Sequence, residues 1–296
     1  MNAEASMLVR SPARQFARAS RSSDAFVHRV ARAAIHALHE EVMIGPKPGL
    51  VTRIDNGSHR DMDASTFVRS LFSLRHYFAH VTRCGQQDAP FPVLQNLGVA
   101  AERRMLTATR GVNTHRGAIF NLGLLAGAAG KLHAQGAGLN AQAVCDTVSR
   151  SYGADILASA AVAPPSHGKQ AAAQYGIAGA REVAAGGYQV LRRIAVPTLE
   201  RLIASGCPRS VAAVQTLFAV MAVFDDTNVF YRGGREGVDC VKRMSRAFLD
   251  EGGVRAPHWR QHAMAIHMRF VERNLSPGGA ADILAAALFV NELQGL

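Results

Sequence analysis

The chain has 296 residues, 48% of them hydrophobic and 19% charged, a balance that excludes an intrinsically disordered polymer. Lys and Arg number 33 against 22 Asp and Glu, and the net charge of +11 favours polyanionic partners without choosing among nucleic acid, membrane surface and nucleotide phosphates. Aromatics are only 6%, which weighs against a β-sandwich or barrel, and Cys84, Cys145, Cys207 and Cys240 form no C-x-x-C pair, which argues against a zinc site or redox dithiol.

The N-terminal segment carries Arg10, Arg14, Arg18 and Arg21 among Ser and Ala, with Glu4 as its acidic residue. It has the composition of an organellar transit peptide but no apolar h-region, so we read residues 1–23 as a mobile basic tail. Asp24 can cap the first helix, with Val27, Ala31, Ala34, Leu38 and Val42 on one face. That helix must end before Pro46 and Pro48, because proline removes a donor and restricts its predecessor. Residues 44–62 then form a long polar loop. A second helix starts near Asp63 or Ser65 and turns Phe67, Leu71, Leu74 and Phe78 inward. A third runs from about Pro92 to Thr109.

Thr114 can cap the next helix, which carries Ile119, Leu122 and Leu125. Its Gly117, Gly123, Gly127 and Gly130 cost helix propensity but permit close approach of a neighbour. Further helices are predicted over about 140–161, 176–186, 188–204 and 208–224, with a loop at 163–169. A Gly-rich turn follows at 225–234, then helices over about 236–251, 257–273 and 278–294. The apolar runs 118–130 and 211–224 are shorter than the roughly 20 residues a membrane span requires. The chain therefore reads as one all-α domain of about ten helices over residues 24–296, with no membrane span. Arg and Lys do not interleave with aromatics, and no nucleic-acid-binding motif occurs.

The unusual residues collect in four loops. In the first, Gly49 and Gly57 allow backbone amides to approach an anion, and Lys47 supplies a point charge for phosphate. Glu41 precedes this loop. His59, Asp61 and Asp63 follow it at i, i+2, i+4 as acid, base or metal-ligand candidates, although the two Asp residues can equally serve as helix caps. The second loop, Arg110 to Gly117, places His115 and Arg116 in the first turn of a helix. Cations there oppose the helix dipole unless an anion sits between them. The third loop contains Asp225, Asp226, Asn228, Arg232 and Gly233. Two adjacent carboxylates suit Mg²⁺, which takes few carboxylates plus substrate phosphates. The fourth, Leu275 to Asp282, offers Pro277, Gly278 and Gly279 at a helix start. His167 and the helical histidines His28, His36, His39, His258, His262 and His267 carry no clear chemical signal; solvated or satisfied rings explain them.

The strings PKPGLV (46–51), NGSHRDMD (56–63), GVNTHRGAIF (111–120), DTN…RGG (226–234) and LSPGGAADILA (275–285) resemble the triphosphoribosyl-dephospho-CoA synthases. They span about residues 34–290 in the family's order and spacing. Ser58 stands where a small Ala is expected. The free-standing chain is similar to the synthase serving malonate decarboxylase, and the citrate lyase branch shares the motifs. The resemblance implies an all-α fold and a reaction in which ATP gives its triphosphoribosyl unit to the 2′-hydroxyl of 3′-dephospho-CoA and releases adenine. The product would pass to a separate transferase that modifies an acyl carrier protein. Mapped onto the loops, Lys47, Arg116 and Arg232 are phosphate candidates, with Gly49, Thr114 and Gly233 beside them and Asn113 able to read ribose or base. Asp225, Asp226 and Glu41 are Mg²⁺ candidates, and His59, Asp61 and His115 are acid–base candidates. The resemblance and the cysteine usage imply bacterial cytoplasm, and the Ala- and Gly-rich helices suit a helix-packed homodimer. Two other readings compete: a Mg²⁺-dependent ribosyl or ADP-ribosyl glycohydrolase, and a basic helical nucleic-acid-binding protein.

Overall fold

The computed structural model describes residues 12–162 and 166–296. Among these residues the chain forms thirteen α-helices and no strand: α1 (Pro12–Met43), α2 (Ala64–Leu74), α3 (Tyr77–Gln86), α4 (Phe91–Ala108), α5 (Arg116–Ala134), α6 (Ala141–Val162), α7 (His167–Tyr175), α8 (Ala180–Ala185), α9 (Val196–Ala204), α10 (Arg209–Met221), α11 (Thr227–Asp250), α12 (Trp259–Glu272) and α13 (Gly278–Leu293). A π-helical turn, Leu191–Ala195, leads into α9. No helix among the described residues is long and apolar enough to cross a membrane.

The core is built around α5 and α13, whose apolar residues run right round each helix and are buried almost throughout. Amphipathic α1 lays Val27, Ala34 and Leu38 on this core, as its spacing predicts. The glycines of α5 do what their spacing suggests. A Cβ on Gly130 would meet the Thr82 carbonyl oxygen at 2.1 Å, and one on Gly85 would meet that of Gly127 at 1.9 Å. The backbones of α3 and α5 therefore touch, and only hydrogen fits between them.

Several boundaries depart from the sequence expectation. α1 begins at Pro12, so Asp24 lies inside it and caps nothing; its carboxylate instead meets Arg83 at 3.1 Å. Of the expected tail, residues 1–11 lie outside the described residues. The expected second helix divides into α2 and α3, because Arg75 folds its guanidinium back onto the Phe72 carbonyl and closes α2. Residues 167–175 form α7 where a loop and then a helix from 176 are expected. Gly176, at φ +66°, is the C-cap of α7 and cannot begin a helix. Pro197 is accommodated in the first turn of α9, where the wider π turn before it relieves the usual clash with the preceding turn. The expected turn 225–234 is largely helical: α11 begins at Thr227 and only Gly234 (φ +59°, ψ −159°) breaks it.

Candidate functional site

The four motif loops meet at one end of the molecule, where the N-termini of α5, α11 and α13 converge. Asp226 is the N-cap of α11: Oδ1 accepts the Asn228 N–H at 2.8 Å, while Oδ2 accepts the Ala280 N–H of α13 at 2.8 Å. Asp282, on α13, reaches the first turn of α5 and accepts the Ala118 N–H. A Cβ on Gly117 would lie 1.9 Å from Asp282 Oδ2, so glycine is required for this approach. Gly278 and Gly279 are pressed likewise against Asn228 and Asp226. Three helix N-termini thus meet at one place, and the carboxyl groups of Asp226 and Asp282 accept their backbone amides.

Two joined cavities occupy this end. The larger, about 590 Å³, is lined by Arg116, Lys169, Arg181, Glu182, His167 and Phe120 among others. The smaller, about 170 Å³, is lined by Lys47, His59, Thr114, His115, Arg232 and Glu41 among others. Asn113, Arg116, Gly117, Asn228 and Asp282 border both.

The first loop is held by partners from the C-terminal third of the chain. His267 Nδ1 lies 3.3 Å from the Gly49 nitrogen, which donates to it, and Nε2 lies 3.2 Å from Asp55 Oδ1. The Ser58 hydroxyl donates to the Leu275 carbonyl at 2.6 Å, so the departure from Ala has a local use. A Cβ on Gly49 (φ +69°) would strike the Leu275 oxygen at 2.2 Å. Gly233 is pinned from the same direction, by the Leu275 side chain. Nothing in the sequence distinguishes His267 from its helical neighbours; its role arises from tertiary contact alone.

Lys47 is buried with 1% exposure, and its ammonium donates to Glu41 Oε1 and to the Glu41 carbonyl, both at 2.6 Å. Arg232 donates to the Ser58 carbonyl at 3.0 Å and to Asn274 Oδ1 at 2.8 Å. Its Nη2 stands 3.4 Å from His59 Nδ1. His59 Nε2 meets Ser276 Oγ at 2.8 Å, and Asp61 Oδ1 lies 3.8 Å from Nδ1. Burial, aided by Arg232, lowers the His59 pKa, so the ring is neutral at pH 7. Asp63 caps α2 in a capping box with Thr66, and these hydrogen bonds hold its carboxyl down to about 2.

His115 is buried at the rim of the smaller cavity. Nδ1 lies 2.6 Å from Ser70 Oγ, while Nε2 has no hydrogen-bond partner among the described residues. Burial, with Lys47 nearby, pushes its pKa down to about 3. Thr114 does not cap α5, contrary to expectation. The N-cap is His115, Asn113 Oδ1 accepts the Arg116 N–H at 3.2 Å, and the buried Thr114 hydroxyl has no partner among the described residues. Arg116 itself is ion-paired with Glu102.

The carboxylates separate. Asp225 is exposed and pairs with Lys242 at 2.6 Å, and it borders neither cavity. Burial raises Asp226 to about 6, against the pull of its backbone donors. Burial, then the Asp226 and Glu41 charges, raises Asp282 well above the usual carboxylate range. Asp282 stands in the LSPGGAADILA string, and that placement was its only sequence signal. Among the described residues, the one set of three potential ligands close enough to share an ion is His36, Glu40 and Glu292, which lies outside both cavities.

A probable 2-(5″-triphosphoribosyl)-3′-dephosphocoenzyme-A synthase of Acinetobacter calcoaceticus is 39% identical over 258 residues, covering 87% of this chain and 88% of that protein. The 2-(5″-triphosphoribosyl)-3′-dephosphocoenzyme-A synthase of Pectobacterium atrosepticum is 40% identical over 262 residues, 84% of each chain. A probable synthase of the same name from Vibrio cholerae is 35% identical over 277 residues, 90% of this chain and 88% of that one. No solved structure matches. The match to the family described as ATP:dephospho-CoA triphosphoribosyl transferase runs over residues 27–296, from the first buried face of α1 to the last residue, and the chain belongs to that family of transferases.

Proposed function

We propose that this protein transfers the 5-triphosphoribosyl group of ATP to the 2′-hydroxyl of 3′-dephospho-CoA and releases adenine. The observation that carries the reading is the placement of Lys47, Arg116 and Arg232 around two cavities with shared lining in a chain of this family. One anionic chain and one larger nucleotide fit such a place better than a single small ligand. The hydroxyl oxygen attacks C1′ of the ATP ribose, the C1′–N9 bond breaks, and the electron pair and a proton leave with adenine. The transition state has oxocarbenium character, as in glycoside hydrolysis. His59 is the base we favour: it is neutral at pH 7, and Asp61 stands where it would support the imidazolium formed. Arg232 and Arg116 hold phosphate beside the Gly49 turn and Gly233 of α11, Lys47 adds its charge from within its pair with Glu41, and Asn113 reads ribose or base from the junction of the cavities.

Mg²⁺ belongs to this proposal as the ion that accompanies the triphosphate. The expected set of Asp225, Asp226 and Glu41 is committed elsewhere: to Lys242, to two backbone amides and to Lys47. Asp282 borders both cavities, but burial, then the Asp226 and Glu41 charges, raises it well above the usual carboxylate range, and among the described residues no set of three ligands gathers there, so the ion depends chiefly on phosphate oxygens. When bound, the ion neutralises the triphosphate.

The experiment is mass-resolved chromatography of protein with ATP, Mg²⁺ and 3′-dephospho-CoA. Adenine and an adduct of dephospho-CoA with triphosphoribose, appearing together and only with both substrates, support the transferase. Adenine without the adduct favours the glycohydrolase; neither, with salt-dependent nucleic-acid binding, favours the binding protein. We assign the chain to the malonate decarboxylase branch, with the product passed to an acyl carrier protein-modifying transferase in the cytoplasm. Restored malonate decarboxylation in cells lacking their own synthase supports that branch. Restored citrate cleavage alone overturns it.

A further inference from the structure

Ser70 is fully buried on α2, and its hydroxyl has a single hydrogen-bond partner among the described residues, His115 Nδ1 at 2.6 Å. A buried hydroxyl proton without an acceptor is costly, so this proton goes to the one acceptor in reach. A nitrogen that accepts cannot carry a proton in a neutral imidazole. The ring proton is therefore on Nε2. That nitrogen has no hydrogen-bond partner among the described residues, and His115 lines the smaller cavity. The unpartnered hydroxyl of Thr114 is next to it in sequence and borders the same cavity. Phe67 packs edge-on against the ring at 5.0 Å between centroids, and the His115 backbone N–H donates to Met105 Sδ at 3.2 Å.

We propose that Ser70 is a positioning residue that locks His115 in its Nε2–H tautomer, so that His115 serves the reaction as a neutral hydrogen-bond donor to an anionic substrate oxygen and not as the general base. The acceptor class follows from the surroundings. Lys47, Arg232 and Arg116 border the same cavity, and two neutral donors, His115 Nε2–H and the Thr114 hydroxyl, complete a site for phosphoryl oxygens. A neutral donor is suited to this spot because Lys47 already disfavours a second positive charge. The inference rests on the transferase reading for its substrate but not for its tautomer.

The test has two arms. In the first, the ligand-free full-length protein, labelled with ¹⁵N-histidine, is examined by NMR, with His115→Gln identifying the signals of residue 115. A protonated, pyrrole-type Nε2 with a pyridine-type Nδ1 is expected, shifting toward a tautomer mixture in Ser70→Ala. A protonated Nδ1 in the wild type overturns the lock. In the second, turnover is compared between His115→Gln and His115→Leu. Glutamine places an amide N–H where Nε2–H stood and cannot act as a base. It should keep activity within about 10-fold of wild type, whereas leucine should lose about 100- to 1000-fold, the usual cost of removing one preorganised donor. Equal loss in both, with the acid limb of the pH–rate profile gone, overturns the donor role in favour of the base. Wild-type protein that releases adenine without forming the adduct would count against the transferase reading, and the NMR arm would still decide the tautomer.

Discussion

The Asp226 carboxylate receives the N–H groups of Asn228 and Ala280, whereas its neighbour Asp225 is exposed and pairs with Lys242. Two residues that look equivalent in the sequence thus differ in what depends on them. Asp226→Ala removes the cap of α11 and strands a buried N–H at the start of α13, costs of about 1 kcal/mol and about 1–3 kcal/mol. Chemical denaturation should show a loss of about 2–4 kcal/mol for this variant, and at most about 1 kcal/mol for Asp225→Ala, whose ion pair is half-exposed. His115 makes a prediction about pH. Its folded pKa, about 3, lies below the 6.5 of a free imidazole, so between those values the unfolded chain binds more protons. The stability this group contributes is fully present above pH 6.5 and is lost as pH falls toward 3. By linkage the full effect is on the order of 5 kcal/mol. His115→Gln should flatten the fall of wild-type stability across that window, and parallel curves for the two proteins would contradict the assignment.

At the scale of elements, the α3–α5 contact is set by glycine. Gly85→Ala would place a Cβ 1.9 Å from the Gly127 carbonyl oxygen, with backbone on both sides and no flexible side chain to yield. The helices would have to separate, at about 1–3 kcal/mol or more. A lowered urea midpoint with unchanged slope is the expected result. Gly111, by contrast, has nothing within 4 Å of a Cβ; its need for glycine comes from φ +90° alone. The helical periodicity made most elements legible. The missed boundaries are places where a local signal had two readings. Gly176 could open or close a helix, and the Asp226-Thr227-Asn228 stretch could be a turn or a cap.

For the whole molecule, the buried Glu41–Lys47 pair joins the end of α1 to the first loop beneath the smaller cavity. Removing one partner strands a buried charge, and Lys47→Met should cost about 3–5 kcal/mol. Adding Glu41→Leu should recover most of that stability. If Lys47 also serves phosphate, the double variant stays slow in forming the adduct while melting near wild type. Recovery of both stability and turnover would confine Lys47 to a structural role.

The sequence by itself determined the helical class, the buried faces of α1 and α5, and the loops that carry the motifs, because periodicity, proline and glycine act over a few residues. It also carried the family resemblance, since the five motif strings keep their order. Only the tertiary structure decided what each polar group does. It separated Asp225 from Asp226, brought Asp282 onto Gly117, gave His267 to the Gly49 loop and paired Ser70 with His115, residues 45 positions apart. Those assignments depend on which donors and acceptors survive burial together, and burial is a property of the packed chain, not of any local stretch of it.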